Sequence, residues 1–442
     1  MKGEEKMLNK NEYRGGENFD LKKMLIRGRE LSFYERLDLF DQFINNLKSN
    51  GEFNHLRCIS SAADREVTLI DPSTGKEKKM LMFGSNNYLG LANHPYVKAR
   101  VKEIINKYGV GLGGPPLLNG YTFLHRELET RLADLKGAED ACIFSSGYGA
   151  NVGVVTALMN SSDSVLYDAY SHASFCDGIK MSGAHSYSFA HNNLAQLQKR
   201  LGIVSNDSST QKFIGVEGVY SMDGDIAPLR ELIEVSKTSG SLLIVDDAHG
   251  TGMLGKSGHG TAEHLGVEGE IDVTVGTFSK TFATTGGFAA SSKSIINYLR
   301  FFARSYMFSA SLAPTTVATV LAGMDVMERE PELIQNLRDN VQYAAFAFKS
   351  KNFDVNPESA IIPLKVPEWM NIRKAAHRFY ELGIFMNSIE YPAVPISQQR
   401  FRVSLMATHR KEDINKLVDI IEEVWSDPSV KNEFSYENVI AA

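Results

Sequence analysis

Lys280 stands just beyond a buried-looking run, Val275-Gly276-Thr277-Phe278-Ser279, and before Thr281-Phe282 and Thr284-Thr285-Gly286-Gly287. A lone lysine is ordinarily a solvated surface charge. Small, hydroxyl and apolar neighbours desolvate it instead, which lowers its pKa toward the nucleophilic amine. Upstream, Leu242-Leu243-Ile244-Val245 runs into Asp246-Asp247-Ala248-His249. Two carboxylates and an imidazole thus stand at the C-terminal end of an apolar strand, where open α/β sheets hold their ligands. The plain alternative for these Asp residues is capping of the next turn. Earlier still, Phe144-Ser145-Ser146-Gly147-Tyr148-Gly149-Ala150-Asn151 joins a strand to a helix. Backbone N–H groups opening that helix suit a phosphate, although such junctions are commonly structural. An amine, an anion and a phosphate turn are together what pyridoxal 5'-phosphate (PLP) needs: the anion keeps its pyridine nitrogen protonated, and the ring then acts as an electron sink.

These residues need a sheet to position them. Short apolar runs at 141–144, 164–167, 213–219, 241–245, 273–277 and 287–290 are mostly separated by helix-like or loop segments. That alternation predicts an α/β fold with a mostly parallel central sheet covered on both faces. A strand is expected at 80–83, and helices at 31–48, 96–108, 122–136 and through 315–349. Strands at 361–366 and 401–405 and a closing helix at 411–425 read as a small α+β C-terminal domain. The expected division is an N-terminal arm and helices over 1–79, a large PLP-binding domain over 80–314, and a helical connection with the small domain over 315–442. The first 30 residues are polar and expected to be flexible.

The chain has 442 residues, enough for a large domain plus a smaller one. It is 43% hydrophobic with a formal charge of −6, which gives no reason to expect nucleic acid or an anionic membrane as partner. No apolar run approaches the roughly 20 residues that span a bilayer, and the N-terminus lacks the apolar core of a signal peptide. Cys58, Cys142 and Cys176 form no CxxC pair, so we expect no structural metal and a reduced, cytoplasmic setting. Two motifs fail on context. Gly109-Val110-Gly111-Leu112-Gly113-Gly114 fits the dinucleotide pattern but follows a helix-like segment and runs into Pro115-Pro116. Gly250 to Ser257 fits the P-loop pattern, yet Asp246 to His249 separates it from its strand.

Further segments sharpen the reading: Ser85-Asn86-Asn87-Tyr88-Leu89-Gly90-Leu91, Asp168 with Ser171-His172-Ala173-Ser174, Glu217 through Tyr220-Ser221-Met222-Asp223-Gly224-Asp225, and Pro395 through Arg402 to His409. With these, residues 80 to 421 resemble fold-type-I PLP transferases, and more narrowly the α-oxoamine synthase family. The resemblance implies that Lys280 is the Schiff-base lysine and the base for the substrate Cα proton. It implies that Asp246 meets the pyridine nitrogen, that His172 stacks on the ring, and that Ser221 and His249 lie near the ring hydroxyl. Ser146, Gly147, Tyr148 and Thr277 fall at the phosphate, and Ser309 at the phosphate of a neighbouring subunit. Arg402, with Asn86 beside it, matches the arginine that holds the amino-acid carboxylate, where a planar fork suits bidentate binding.

The activity so implied is a decarboxylative Claisen condensation of an amino acid with an acyl thioester of CoA or acyl carrier protein, giving an α-amino ketone. A homodimer is implied as well. The motifs look most like bacterial serine palmitoyltransferases, which favours L-serine and a long acyl chain. Glycine C-acetyltransferase (2-amino-3-ketobutyrate CoA ligase) and 8-amino-7-oxononanoate synthase are the alternatives within the family. An ordinary aminotransferase is a further one, and a catalytically silent partner subunit would be expected to have lost Lys280. Two departures stand out: Pro115-Pro116 where family members often carry Ser-Arg, and Glu390 where some have Arg or Asn.

Overall fold

The computed structural model describes residues 31–432 apart from 73, 205–210 and 392. The arm expected over the first 30 residues lies outside them. Among the described residues, fourteen strands form three sheets. Strands β1 (Cys58–Ile59), β2 (Glu66–Ile70) and β3 (Glu77–Met82) precede the main sheet. The main sheet consists of β4 (Asp140–Phe144), β5 (Ser164–Asp168), β6 (His185–Phe189), β7 (Lys212–Glu217), β8 (Ser241–Asp246), β9 (Val273–Thr277) and β10 (Gly287–Ser291). The C-terminal strands are β11 (Ile361–Lys365), β12 (Ile384–Phe385), β13 (Asn387–Ile389) and β14 (Arg400–Ser404).

The main sheet has the order β4-β10-β9-β8-β7-β5-β6. β10 runs antiparallel to both its neighbours, and the other pairings are parallel. Parallel strands need crossovers, and helices supply them on both faces. One face packs Phe144, Val165, Ile244 and Val275 against helices 147–158, 173–182 and 293–302. The other packs Leu166, Ile214, Leu243 and Val245 against helices 194–204 and 229–239. This two-sided burial is why β7, β8 and β9 read as continuous apolar runs. The runs in 315–349 resolve into two helices, Pro314–Arg329 and Glu332–Ser350.

β3 also pairs in parallel with β12, so the N-terminal β-meander joins the C-terminal region in a sheet of order β1-β2-β3-β12. The boundary expected after residue 79 therefore falls inside a strand. A third sheet, β11-β14-β13, carries Arg400 and Arg402 on its central strand. Among the described residues, no helix is long and apolar enough to cross a membrane.

Candidate active site

β8 delivers Asp246 to the C-terminal edge of the main sheet. The Asp246 carboxylate is buried and accepts hydrogen bonds from Asn151 Nδ2 at 2.6 Å and the Ala248 backbone N–H at 3.1 Å. Asn151 sits on helix Gly147–Leu158, so the helix that opens at Ser146-Gly147 also steadies the carboxylate. Asp246 is paired in register with Glu217 at the end of β7. Burial and the Asp246 charge push the Glu217 carboxyl well above its usual range.

Lys280 follows β9 by a short loop and is half-buried. Desolvation lowers its pKa to about 8, against the opposing pull of Asp246 and Glu217. His172 caps helix Ala173–Ser182, with Nδ1 accepting from the Ser174 N–H at 3.2 Å and lying 2.7 Å from its hydroxyl. Desolvation lowers the His172 pKa, and Lys280 adds to this while Asp246 opposes it; all three residues thus share one electrostatic environment. His249 is buried, and desolvation with the nearby cations Lys280 and Arg402 pushes its pKa well below the usual value. Its Nδ1 lies 2.7 Å from the hydroxyl of Tyr88, whose own pKa burial raises to about 12.

The turn after β4 is a tight cradle. Ser146 caps the helix by accepting from the Gly149 N–H at 2.9 Å. A Cβ on Gly147 would come within 2.7 Å of Thr277 Cβ, so only glycine lets the helix N-terminus meet the end of β9. The Thr277 hydroxyl lies 2.9 Å from that of Ser279. Tyr148 is exposed and its hydroxyl donates to Asp177. On the opposite side, buried Arg402 donates to Asn86 Oδ1 at 3.1 Å. Arg402 Nε, Asn151 Oδ1 and Glu217 Oε1 are buried without a hydrogen-bond partner among the described residues. Such atoms are uncommon in folded proteins and point to a polar ligand.

Electrostatic influence or direct contact therefore links Lys280, Asp246, His172, His249, Arg402 and Asn86, while Ser146, Gly147 and Thr277 form the cradle. Ser221 opens the turn after β7. Ser309 stands in the segment after helix Arg304–Met307 and makes no hydrogen bond among the described residues; Ser305 is the residue there that reaches the cradle helix, donating to Gly149 O. Asn151, Glu217 and Tyr88 received no role, or a lesser one, from the sequence. Asn151 had a visible signal, as an amide among Gly, Ala and Val on an otherwise apolar helix. Glu390, the charge departure, pairs with Arg373 Nε at 2.8 Å. His409 is structural: Phe83 stacks on it, its Nε2 lies 3.0 Å from Met82 O, and burial lowers its pKa to about 4.

The family model for aminotransferase class I and II matches residues 78–421. A serine palmitoyltransferase from Sphingobacterium spiritivorum is 37% identical over 90% of this chain and 98% of its own length. An 8-amino-7-oxononanoate synthase from Lysinibacillus sphaericus is 36% identical over 89% of this chain and 99% of its own. Among solved structures, a serine palmitoyltransferase from S. paucimobilis with bound PLP and myriocin superposes with a TM-score of 0.82 at 32% identity, covering 89% of this chain and 98% of that one. A desolvated amine, an anion at a strand end, a glycine cradle and orphaned polar atoms fit PLP as resident cofactor. The chain belongs to the aminotransferase class I and II family, on its α-oxoamine synthase branch of PLP-dependent acyltransferases.

Proposed function

We propose that the protein condenses L-serine with a long-chain acyl thioester, releasing the thiol and carbon dioxide and leaving a long-chain α-amino ketone, the entry reaction of sphingolipid synthesis. The observation that carries the reading is the pairing of a lysine whose pKa is lowered to about 8 with a buried arginine, Arg402, whose Nε has no hydrogen-bond partner among the described residues. One group removes a proton from Cα, and the other grips the carboxylate of the same amino acid. The choice of serine rests on the serine palmitoyltransferases among the relatives in both sequence and structure.

PLP, when bound, supplies the electron sink that acidifies the amino-acid Cα–H. The chain's own groups do the rest. Lys280 would hold the cofactor, and its free amine is the base for the Cα proton. Asp246, steadied by Asn151, keeps an anion at the ring nitrogen. His172 offers its ring face to the cofactor, with Ser221 and His249 beside the ring hydroxyl. Ser146, Gly147, Tyr148 and Thr277 receive the phosphate, together with Ser309 of a neighbouring copy in a homodimer. Arg402 and Asn86 orient the substrate carboxylate. The thiol carrier is CoA or acyl carrier protein, and the setting is cytoplasmic.

The test is to titrate amino acids against the cofactor absorbance of the holoenzyme, then add acyl thioesters and follow thiol release. L-Serine should give the largest shift and palmitoyl thioester the fastest release. Fastest release with glycine and acetyl-CoA, or with alanine and a dicarboxylic acyl thioester, would replace the substrate assignment. Thiol release that never depends on an amino acid would overturn the condensation itself.

A further inference from the structure

The loop from Ser221 to Ile226 is fastened on two sides. Toward the main sheet, Asp225 Oδ2 lies 2.7 Å from His191 Nε2 and accepts from Asn192 Nδ2 at 2.9 Å. His191 Nδ1 lies 3.1 Å from Asp168 Oδ1, at the end of the strand that leads to His172. Toward the C-terminal sheet, Arg400 donates to Met222 O at 3.1 Å and to the Asp223 carboxylate. Ser359 Oγ donates to Gly224 O at 2.7 Å, and the Ile226 N–H to Glu358 Oε2 at 3.0 Å. Gly224 has φ +74, and a Cβ there would stand 2.3 Å from Ile361 O, so the loop lies directly on the backbone of β11.

Arg400 and Arg402 are alternate residues of β14 and so project from one face of it. One guanidinium reaches Asn86, and the other reaches the loop that begins at Ser221. The Arg400 side chain is only 3% exposed, against 28% for Asp223. A guanidinium buried to that degree is tolerated only with its charge and hydrogen-bond partners in place. Exposed pairs between flexible side chains contribute little to geometry or stability; this one is mostly buried, with a backbone carbonyl fixing the same guanidinium.

We propose that Arg400, acting through Asp223, is a positioning residue that keeps the Ser221 loop in register with Arg402. A single strand then sets both the grip on the substrate carboxylate and the hydroxyl on the cofactor side. The proposal rests on Arg402 as the carboxylate-binding residue. It assigns to Arg400 no contact with substrate or cofactor.

The test compares Arg400→Gln, Arg400→Lys and Asp223→Asn with wild type, in two measurements. In the holoenzyme, Arg400→Gln should raise KM for the amino acid roughly five- to fifty-fold, the scale of a typical coupling between sites. KM for the acyl thioester should stay within about twofold, since the coupling acts on the carboxylate side. Arg400→Lys should recover most of the loss, because a point charge still reaches Asp223. In the apoprotein, amide exchange across 219–226 should quicken about tenfold or more in Arg400→Gln, with β7 and β8 unchanged. Asp223→Asn leaves a buried unpaired cation and could fail to fold; Arg400→Gln leaves none and decides the matter alone. Unchanged exchange in the loop would overturn the proposal. So would a parallel loss of kcat and both KM effects in proportion to protein unfolded, with no rescue by lysine. If wild type binds no amino acid, the Arg402 reading fails instead, and the apoprotein exchange still judges the clamp.

Discussion

Desolvation brings the Lys280 ammonium down to about 8, while Asp246 and Glu217 keep it from falling further. A useful fraction is therefore free amine near neutral pH. Lys280→Ala should abolish covalent cofactor: borohydride reduction and peptide mapping should find a pyridoxyl label on residue 280 in wild type and on no residue in the variant. Asp246→Asn should still bind PLP but lose activity by about a hundredfold or more, the scale of a lost charge-stabilising group; near-normal turnover would reduce Asp246 to a turn cap. Asn151 donates to that carboxylate. Its removal should cost about 1.5–3 kcal/mol of the stabilisation Asp246 provides, the range for a hydrogen bond to a charge, seen as a roughly tenfold or larger fall in kcat. Lys280, Asp246 and His172 were legible in the sequence because each sits in a short segment with a telling context. Glu217 was only a passing carrier of the family pattern. Its raised pKa comes from burial and from lying beside Asp246 on the neighbouring parallel strand, and strand neighbours are invisible until the sheet order is known.

Elements set how closely these groups meet. At the cradle, a helix N-terminus and a strand end approach so closely that a methyl group on Gly147 would collide with Thr277. Gly147→Ala should weaken PLP binding at least tenfold, measured by cofactor titration of the apoprotein, with secondary structure by circular dichroism unchanged. The tie between β5 and the Ser221 loop has a pH signature. His191 is flanked by Asp168 and Asp225, and their hydrogen bonds raise its pKa to about 9 despite desolvation. Because the folded value exceeds the unfolded one of about 6.5, its contribution is complete below about 6.5 and is lost as pH rises through about 9. Thermal unfolding from pH 6 to 10 should show wild type losing about 1–2 kcal/mol over that window, discounted for partial exposure, and His191→Gln showing no such slope. The doubly buried strands were readable because their runs are uniformly apolar. β6 was not, since His185-Ser186-Tyr187-Ser188-Phe189 lies at the sheet edge with only Phe189 buried. Helix Ile372–Glu381 was missed although Ile372, Ala375, Ala376 and Phe379 carry a helical spacing, because Ala is a weak apolar marker.

At the scale of the molecule, Tyr298, Phe301, Phe302 and Phe308 are between 45% and 68% exposed on neighbouring segments. Soluble monomers seldom leave so many aromatics open together. We propose that a homodimer covers them: light scattering should give twice the chain mass at micromolar concentration, and Phe301→Asp with Phe302→Asp should yield monomer and depress activity through the proposed Ser309 contribution. A fully active wild-type monomer would remove the dimer from the account. The sequence divided the chain by position, but the structure stitches distant parts together, β3 to β12 and β4 to β10. Periodicity reports what a segment buries, not which remote segment covers it. That stitching has a consequence for the protein's birth. β4 and the cradle turn emerge early from the ribosome, yet their partner strand, Gly287–Ser291, follows only after more than a hundred further residues. Until then β4 is an apolar strand with no neighbour, exposed to misassociation. The cofactor's pocket is therefore a late product of synthesis, closed only when the chain has returned to where it began.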